Sequence, residues 1–325
     1  MDKLAIDGGK PVRKSLLPYG HQWVDARDVQ AVIEVLRSDW LTTGPMVEEF
    51  ERAFADSVGA KDAVAVNSGT AALHTAMYAA DIGSGDEVIV SPMTFASTAN
   101  CVVFQGGTPV FADVDPKTLL IDPARVKAEI TPRTKAIIAV DYTGQPCDYD
   151  ALRAIADEHD LILIADACHA LGGSYKGQPV GSLACLSTFS FHPVKPITTG
   201  EGGMITTDDP KLAQRMRVFR SHGITTNHRQ REQQGSWFYE IVDLGYNYRL
   251  TDLQCVLGIS QLRSLPEWVK RRQEIALRYD KALAKLHSIE PLAVRDDVSH
   301  AYHLYVIQLD LTQLRIARAE VFSAL

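Results

Sequence analysis

The stretch Leu161-Ile-Leu-Ile-Ala-Asp-Ala-Cys-His-Ala-Leu-Gly172 opens as an apolar run and meets a carboxylate at Asp166. A short run of branched aliphatic residues reads as a buried strand. A carboxylate at its end must find a cation or hydrogen-bond donors. Upstream, Val64-Ala-Val-Asn-Ser-Gly-Thr70 reads as a strand feeding a helix through a turn of small residues. Downstream, Ser187-Thr-Phe-Ser-Phe-His-Pro-Val-Lys-Pro-Ile-Thr-Thr-Gly-Glu-Gly-Gly203 carries a third strand into Lys195 and then a glycine-rich turn. Around these stretches, buried strands alternate with helices, which predicts an α/β fold with a mostly parallel central sheet. Such sheets bind ligands at the carboxyl ends of their strands, where both Asp166 and Ser68-Gly69-Thr70 fall.

The same reading extends along the chain. Apolar spacing predicts helices over 25–37, 45–58, 70–80, 97–104 and 149–159. Pro45 suits a first helical turn, and Gly59 suits a C-cap. Strands are expected at 63–66, 87–90, 109–112, 136–141, 161–165, 187–191 and 203–206. After Pro210 the pattern is helical. Thr251-Asp-Leu-Gln254 forms a capping box for a helix toward Leu262, and a second, charged helix is expected over 268–286. A strand over 301–309 and a helix from about Leu311 follow. The expected organisation is an N-terminal segment 1–24, a large domain 25–250 and a smaller C-terminal α/β domain from 251.

The chain has 325 residues, of which 46% are hydrophobic, enough for a sizeable core. A net charge of −7 argues against a nucleic-acid partner. No apolar run approaches the ~20 residues of a membrane span. The start, Met1-Asp-Lys-Leu-Ala-Ile-Asp-Gly-Gly-Lys10, lacks a signal-peptide core, so a cytoplasmic location is expected. Cys101, Cys147, Cys168, Cys185 and Cys255 are scattered and unpaired in sequence. They read as reduced, mostly buried small hydrophobes, and no metal is expected.

Lys195 is surrounded by apolar and small residues rather than charges. Desolvation there favours the neutral amine that imine chemistry needs. Asn67-Ser-Gly-Thr70, opening a helix, offers backbone N–H groups, hydroxyls and a dipole to an anion. A lysine, a strand-end aspartate and a phosphate cradle together are what pyridoxal phosphate (PLP) requires. On that reading Lys195 forms the Schiff base, Asp166 keeps the pyridinium nitrogen protonated, and Ser190 joins the phosphate site. His169 is placed to bond the ring hydroxyl or Asp166, although a lone histidine is more often a satisfied core residue. Phe95, after a strand end, is a candidate to stack on the ring, against the default of core packing.

Six ordered motifs resemble the DegT/DnrJ/EryC1/StrS sugar aminotransferases. They are Leu41-Thr-Thr-Gly-Pro45, Asn67-Ser-Gly-Thr-Ala-Ala-Leu73, Asp166-Ala-Cys-His-Ala-Leu-Gly172, Phe189-Ser-Phe-His-Pro-Val-Lys-Pro196, Gly200-Glu-Gly-Gly203 and Leu244-Gly-Tyr-Asn-Tyr-Arg249. The resemblance implies a fold-type-I, PLP-dependent homodimer with its active sites at the subunit interface. It implies Lys195 as the catalytic lysine and Asp166 at the pyridinium. His169 stands where many relatives carry a glutamine, and Phe95 would stack on the ring. Gly69, Thr70 and Ser190 would hold the phosphate, with Asn247 reaching in from the partner subunit. Tyr19, Trp40, Leu41, Thr42 and Ser68 resemble sugar-nucleotide contacts.

Within the family, Ser190-Phe-His-Pro-Val-Lys-Pro-Ile-Thr-Thr199 and Glu201-Gly-Gly203 look most like the pseudaminic-acid branch. That resemblance implies amino transfer from L-glutamate to C4 of a UDP-linked 4-keto-6-deoxy-N-acetylamino sugar. Other 4-aminotransferases, making 4-amino-arabinose, perosamine or bacillosamine precursors, share these motifs, and a non-catalytic relative is a further alternative. A sugar dehydratase on the same fold would carry histidine in place of Lys195. The chain reaches Leu325 inside an expected helix, short of the family's usual histidine-bearing C-terminal segment, so the small domain is expected to be incomplete.

Overall fold

A computed structural model describes residues 3, 5–226, 228–233, 235–314 and 317–324. After an irregular N-terminal segment come α1 (Ala26–Leu36) and α2 (Pro45–Val58). The alternating part follows as β1 (Asp62–Val66), α3 (Gly69–Ala79), β2 (Glu87–Val90), α4 (Ser97–Phe104), β3 (Thr108–Phe111), α5 (Pro123–Ala128), β4 (Thr134–Val140), α6 (Tyr149–His159) and β5 (Ile162–Asp166). Two short strands, β6 (Ser174–Tyr175) and β7 (Gln178–Pro179), precede β8 (Leu186–Ser190) and β9 (Gly203–Thr207). Then come α7 (Pro210–Arg220), α8 (His228–Gln233) and α9 (Asp252–Leu283), followed by β10 (Ile289–Pro291), β11 (Val298–Ser299), β12 (Ile307–Leu309) and α10 (Arg318–Ala324).

Among the described residues, seven strands form one sheet in the order β1-β9-β8-β5-β4-β2-β3. The pairs β5–β8, β4–β5, β2–β4 and β2–β3 are parallel, while β9 runs antiparallel to both its neighbours. Successive residues point to opposite faces, which explains why the strands are apolar throughout. Ile89, Ile137, Leu163 and Phe189 pack on one side against Phe50, Leu152 and Ile259 of α2, α6 and α9. Val90, Ile138, Ile164 and Ile205 pack on the other against Leu73, Val102 and Met216 of α3, α4 and α7. The result is a three-layer α/β/α fold of the fold-type-I kind.

Several local expectations hold in detail. Pro45 opens α2, and Gly59 ends it in the left-handed conformation with φ 70°. Thr251 and Gln254 form the reciprocal capping box of α9. Others do not hold. The two helices expected on either side of Pro266 are one continuous helix, α9. Of the strand expected over 301–309 only β12 forms, because residues 300–304 bond instead to the turn after β4. The final helix begins at Arg318 rather than near Leu311. Cys185 is exposed, whereas Cys101, Cys147 and Cys255 are buried.

Candidate active site

A cleft of about 610 Å³ opens at the carboxyl ends of β1, β2, β4, β5 and β8. The topology collects Ser68, Gly69 and Thr70 after β1, Phe95 after β2, and Asp166 and His169 at the end of β5. Ser190 ends β8, and Lys195 follows in the loop to β9. Tyr19 joins them from the N-terminal segment. Trp40, Leu41, Thr42 and Asn247 do not line this cleft. Leu41 O accepts a bond from Asp252 N and Thr42 bridges to Thr251, so this turn lies on the start of α9. Asn247 is exposed, bridges to Ser221, and its carbonyl accepts from Asn67 Nδ2 at 3.2 Å.

The Lys195 loop is closed at its base, where Phe191 N donates to Gly202 O at 2.8 Å. Lys195 N donates to His192 O, and Thr198 Oγ1 donates to Phe191 O. Gln261 of α9 accepts from Thr198 N at 3.4 Å and donates to Trp23 O and Asp28. These bonds tie the loop to α9, the N-terminal segment and α1. The lysine's backbone is thus fixed while its side chain remains half-buried in the cleft.

Asp166 is buried, and Thr98 Oγ1 donates to its Oδ2 at 2.7 Å. Thr98 Oγ1 also lies 2.6 Å from Thr94 Oγ1, so a hydroxyl from α4, backed by one from the segment before it, fixes the carboxylate. The other oxygen, Oδ1, accepts from Cys168 N at a long 3.3 Å. Burial raises the Cys168 thiol well above its ordinary range, and the Asp166 charge adds to this, so it stays protonated. His169 is neutral near physiological pH, since burial and the neighbouring Lys195 cation push its pKa down to about 4 against the pull of Asp166.

Two observations test the fit to a phosphorylated pyridine. A Cβ on Gly69 would stand 2.7 Å from Ser190 Cβ and 3.0 Å from its Oγ. Glycine therefore brings the first backbone N–H groups of α3 up to a hydroxyl, at a helix end that favours an anion. Ser68 Oγ accepts from Ala71 N at 3.0 Å and caps the same helix. Second, His169 Nδ1 is buried without a hydrogen-bond partner among the described residues, so a polar group of a bound molecule would satisfy it. The residues present fit the cofactor.

Sequence reading missed other cleft residues, namely Thr94, Ser97, Tyr142, His192, Glu201 and His303, along with Thr98 behind Asp166. Ser97-Thr98 did leave a signal, since both hydroxyls open the mostly apolar α4 and both are buried. His303 left none, because it fell within a stretch read as a strand.

The fold and cleft define a fold-type-I PLP-dependent enzyme. The chain belongs to the DegT/DnrJ/EryC1/StrS aminotransferase family, whose model matches residues 22–325, and this is a family of PLP-dependent sugar aminotransferases. It is 47% identical over 314 residues to the spore coat polysaccharide biosynthesis protein SpsC of Bacillus subtilis, covering 96% of this chain and 81% of that protein. It is similar to Helicobacter pylori PseC, an aminotransferase of pseudaminic acid biosynthesis, at 36% identity and TM-score 0.85 over 92% of this chain and 79% of that one. The PLP form of Spr1654 from Streptococcus pneumoniae superposes with TM-score 0.85 at 34% identity, over 91% of this chain and 79% of that one. Among the described residues, no helix is long and apolar enough to cross a membrane.

Proposed function

We propose that this enzyme uses PLP to transfer the amino group of L-glutamate to C4 of a UDP-linked 4-keto-6-deoxy-N-acetylamino sugar. The convergence of Lys195, Asp166 and the Gly69 helix start in one cleft carries the reading, since those three features hold and activate the two ends of one cofactor. PLP supplies an electron sink that lets a carbon–hydrogen bond next to nitrogen give up its proton. Lys195 Nζ would anchor the cofactor and, as a free amine, would take the proton from the donor's α-carbon. Asp166, held by Thr98, pairs with the pyridine nitrogen and keeps it protonated. Gly69 N, Thr70 N and Ser190 Oγ hold the phosphate, His169 meets the ring oxygen, and Phe95 covers the ring face.

Tyr19 and Ser68 are assigned to the sugar nucleotide, as is the Trp40-Leu41-Thr42 turn. That turn and Asn247 lie outside the chain's own cleft, which favours a homodimer in which Asn247 serves the partner's site. Trp237, Phe238, Ile241, Val242 and Leu244 are exposed apolar side chains near Asn247 in sequence, as such an interface would need. A cytoplasmic enzyme would meet both glutamate and the nucleotide sugar.

The similarity to PseC supports the pseudaminic-acid substrate. The higher identity to SpsC favours a second reading, a different 4-keto nucleotide sugar destined for a surface polysaccharide. The first test is the visible spectrum of the chain with PLP, before and after L-glutamate, beside Lys195→Ala. The expected result is a visible band that glutamate bleaches in the wild type, and a mutant spectrum resembling free PLP. A wild type that binds no PLP would sink the proposal. Turnover of candidate UDP- and dTDP-4-keto sugars then separates the two substrates.

A further inference from the structure

His303 enters the cleft from the segment between β11 and β12. Its approach is built from uncommon backbone. Tyr302 has φ 48°, and the turn it faces contains Thr143 with φ 64° and Gly144 with φ 109°. A left-handed non-glycine residue is strained and persists only where its surroundings impose it. The surroundings do so here. Ala301 N donates to Gly144 O at 2.9 Å, and Leu304 N donates to Thr143 O at 3.1 Å. His300 accepts from Tyr302 N through Nδ1 at 2.8 Å, and its Nε2 lies 3.1 Å from Thr143 Oγ1. From α9, Arg272 Nη1 donates to Tyr302 O and Gln273 Nε2 donates to His300 O. A Cβ on Gly144 would stand 2.9 Å from both His169 O and Tyr302 N. The turn after β4, the chain at His169 and residues 300–304 are thereby locked together.

What this arrangement delivers is one contact. The His303 ring centroid lies 4.4 Å from that of His169, at an interplanar angle of 43°. Each ring keeps a buried Nδ1 with no partner among the described residues. Lys195 and Arg272 are the cations facing His303, from the β8–β9 loop and α9. Asp166 and Lys195 face His169, and Tyr142 packs beside it at 6.0 Å between centroids. His300 stacks on Tyr302 behind the pair. Burial, with His169, Lys195 and Arg272 nearby, pushes the His303 pKa down to about 2. A neutral imidazole keeps one donor and one acceptor nitrogen. The contact that the geometry shows for it is with its neighbour, His169.

We propose that His303 is a positioning residue whose imidazole fixes the ring of His169 and, through it, the hydrogen bonding of the cofactor's ring oxygen. This rests on the assignment of His169 to that oxygen. A donor at the ring oxygen stabilises its anionic form and lowers the pH at which the lysine-bound cofactor loses its proton. Loosening His169 should therefore raise that pH.

The test is a pH titration of the visible band of the PLP-loaded full chain, comparing wild type, His303→Gln, His303→Ala and His169→Ala, with thermal melts beside it. One weakened hydrogen bond corresponds to an upward shift of about 0.5–1 pH unit. That shift is expected for His169→Ala and His303→Ala, with His303→Gln smaller. The double variant should add little to His169→Ala alone, because the two rings act as one unit. If His169→Ala moves the midpoint and both His303 variants lower only the melting temperature, His303 is merely structural and the inference fails while the His169 reading stands. If His169→Ala leaves the midpoint in place, the His169 reading fails and takes this inference with it. Additive shifts in the double variant, or loss of cofactor loading by both His303 variants, would also overturn it.

Discussion

Gly69 matters for what it leaves out. It has no side chain where Ser190 Cβ would be 2.7 Å from a new carbon, and Gly203 across the same junction is equally tight against the Ser68 carbonyl. The two glycines let the start of α3 seat directly on β8 and β9, so that backbone N–H groups and the Ser190 hydroxyl face one point. Gly69→Ala must push Ser190 away, an overpacking that costs about 1–3 kcal/mol. PLP affinity should fall about tenfold or more, with far-UV dichroism unchanged. Ser190→Ala removes one donor and keeps the cradle's shape, so its loss should be smaller, near 1 kcal/mol. Titrating PLP into each variant by absorbance checks the order. Equal losses would mean that the hydroxyl, not the close approach, makes the site.

At the level of elements, α2 and α9 share an unusual junction. Gly44 precedes α2 and offers no capping side chain. Asp252, the first residue of α9 and fully buried, supplies the cap instead, accepting from Gly44 N at 2.8 Å and Met46 N at 3.0 Å. Asp252→Ala should cost about 2 kcal/mol, because it leaves one buried and one part-buried N–H group unpaired. Denaturant unfolding measures this, and a variant as stable as wild type would show that the cap contributes nothing. This junction also marks where sequence reading gives out. The Thr251–Gln254 box was legible because a cap is local and its spacing fixed. That Asp252 caps a different helix was not, since its partners lie at residues 44 and 46. The sequence reading ended one helix near Leu262 and began another at 268, on either side of Pro266, which removes one helical bond. Yet α9 runs through it, held by Gly258, Ile259 and Gln261 before the proline and Val269 and Ala276 after it. The sheet strands were legible from their apolar runs, as were Lys195, Asp166 and Gly69 from the turns that follow those runs. His303 was not, because only the fold brings residues 300–304 onto the turn at 143–144.

For the whole molecule, a group of buried and half-buried histidines makes stability depend on acid. His169, His300 and His303 have pKa values pushed down to about 4, 3 and 2, chiefly by burial, against 6.5 when unfolded. Below 6.5 the unfolded chain therefore binds more protons than the folded one. Their contribution is complete above pH 6.5 and is lost as pH falls toward the folded values, each at up to about 1.4 kcal/mol per unit. Asp141, fully buried at the end of β4 with bonds from Tyr149 Oη and Cys147 N, opposes them. Burial raises its pKa from 3.8 to about 7, so folding favours its protonated form, and that contribution is lost as pH rises from about 4 to 7. Three groups outweigh one, so stability should fall by on the order of 2–4 kcal/mol between pH 7 and pH 5. Urea unfolding at pH 7, 6 and 5 reads this directly. Asp141→Asn removes the opposing group, so its stability should fall more steeply over the same range than that of the wild type. A variant with an unchanged slope would mean that Asp141 is ionised in the folded protein. In that case the carboxylate beside Asp166 would put a second negative charge at the carboxyl end of the sheet, where the cofactor's ring nitrogen is proposed to sit.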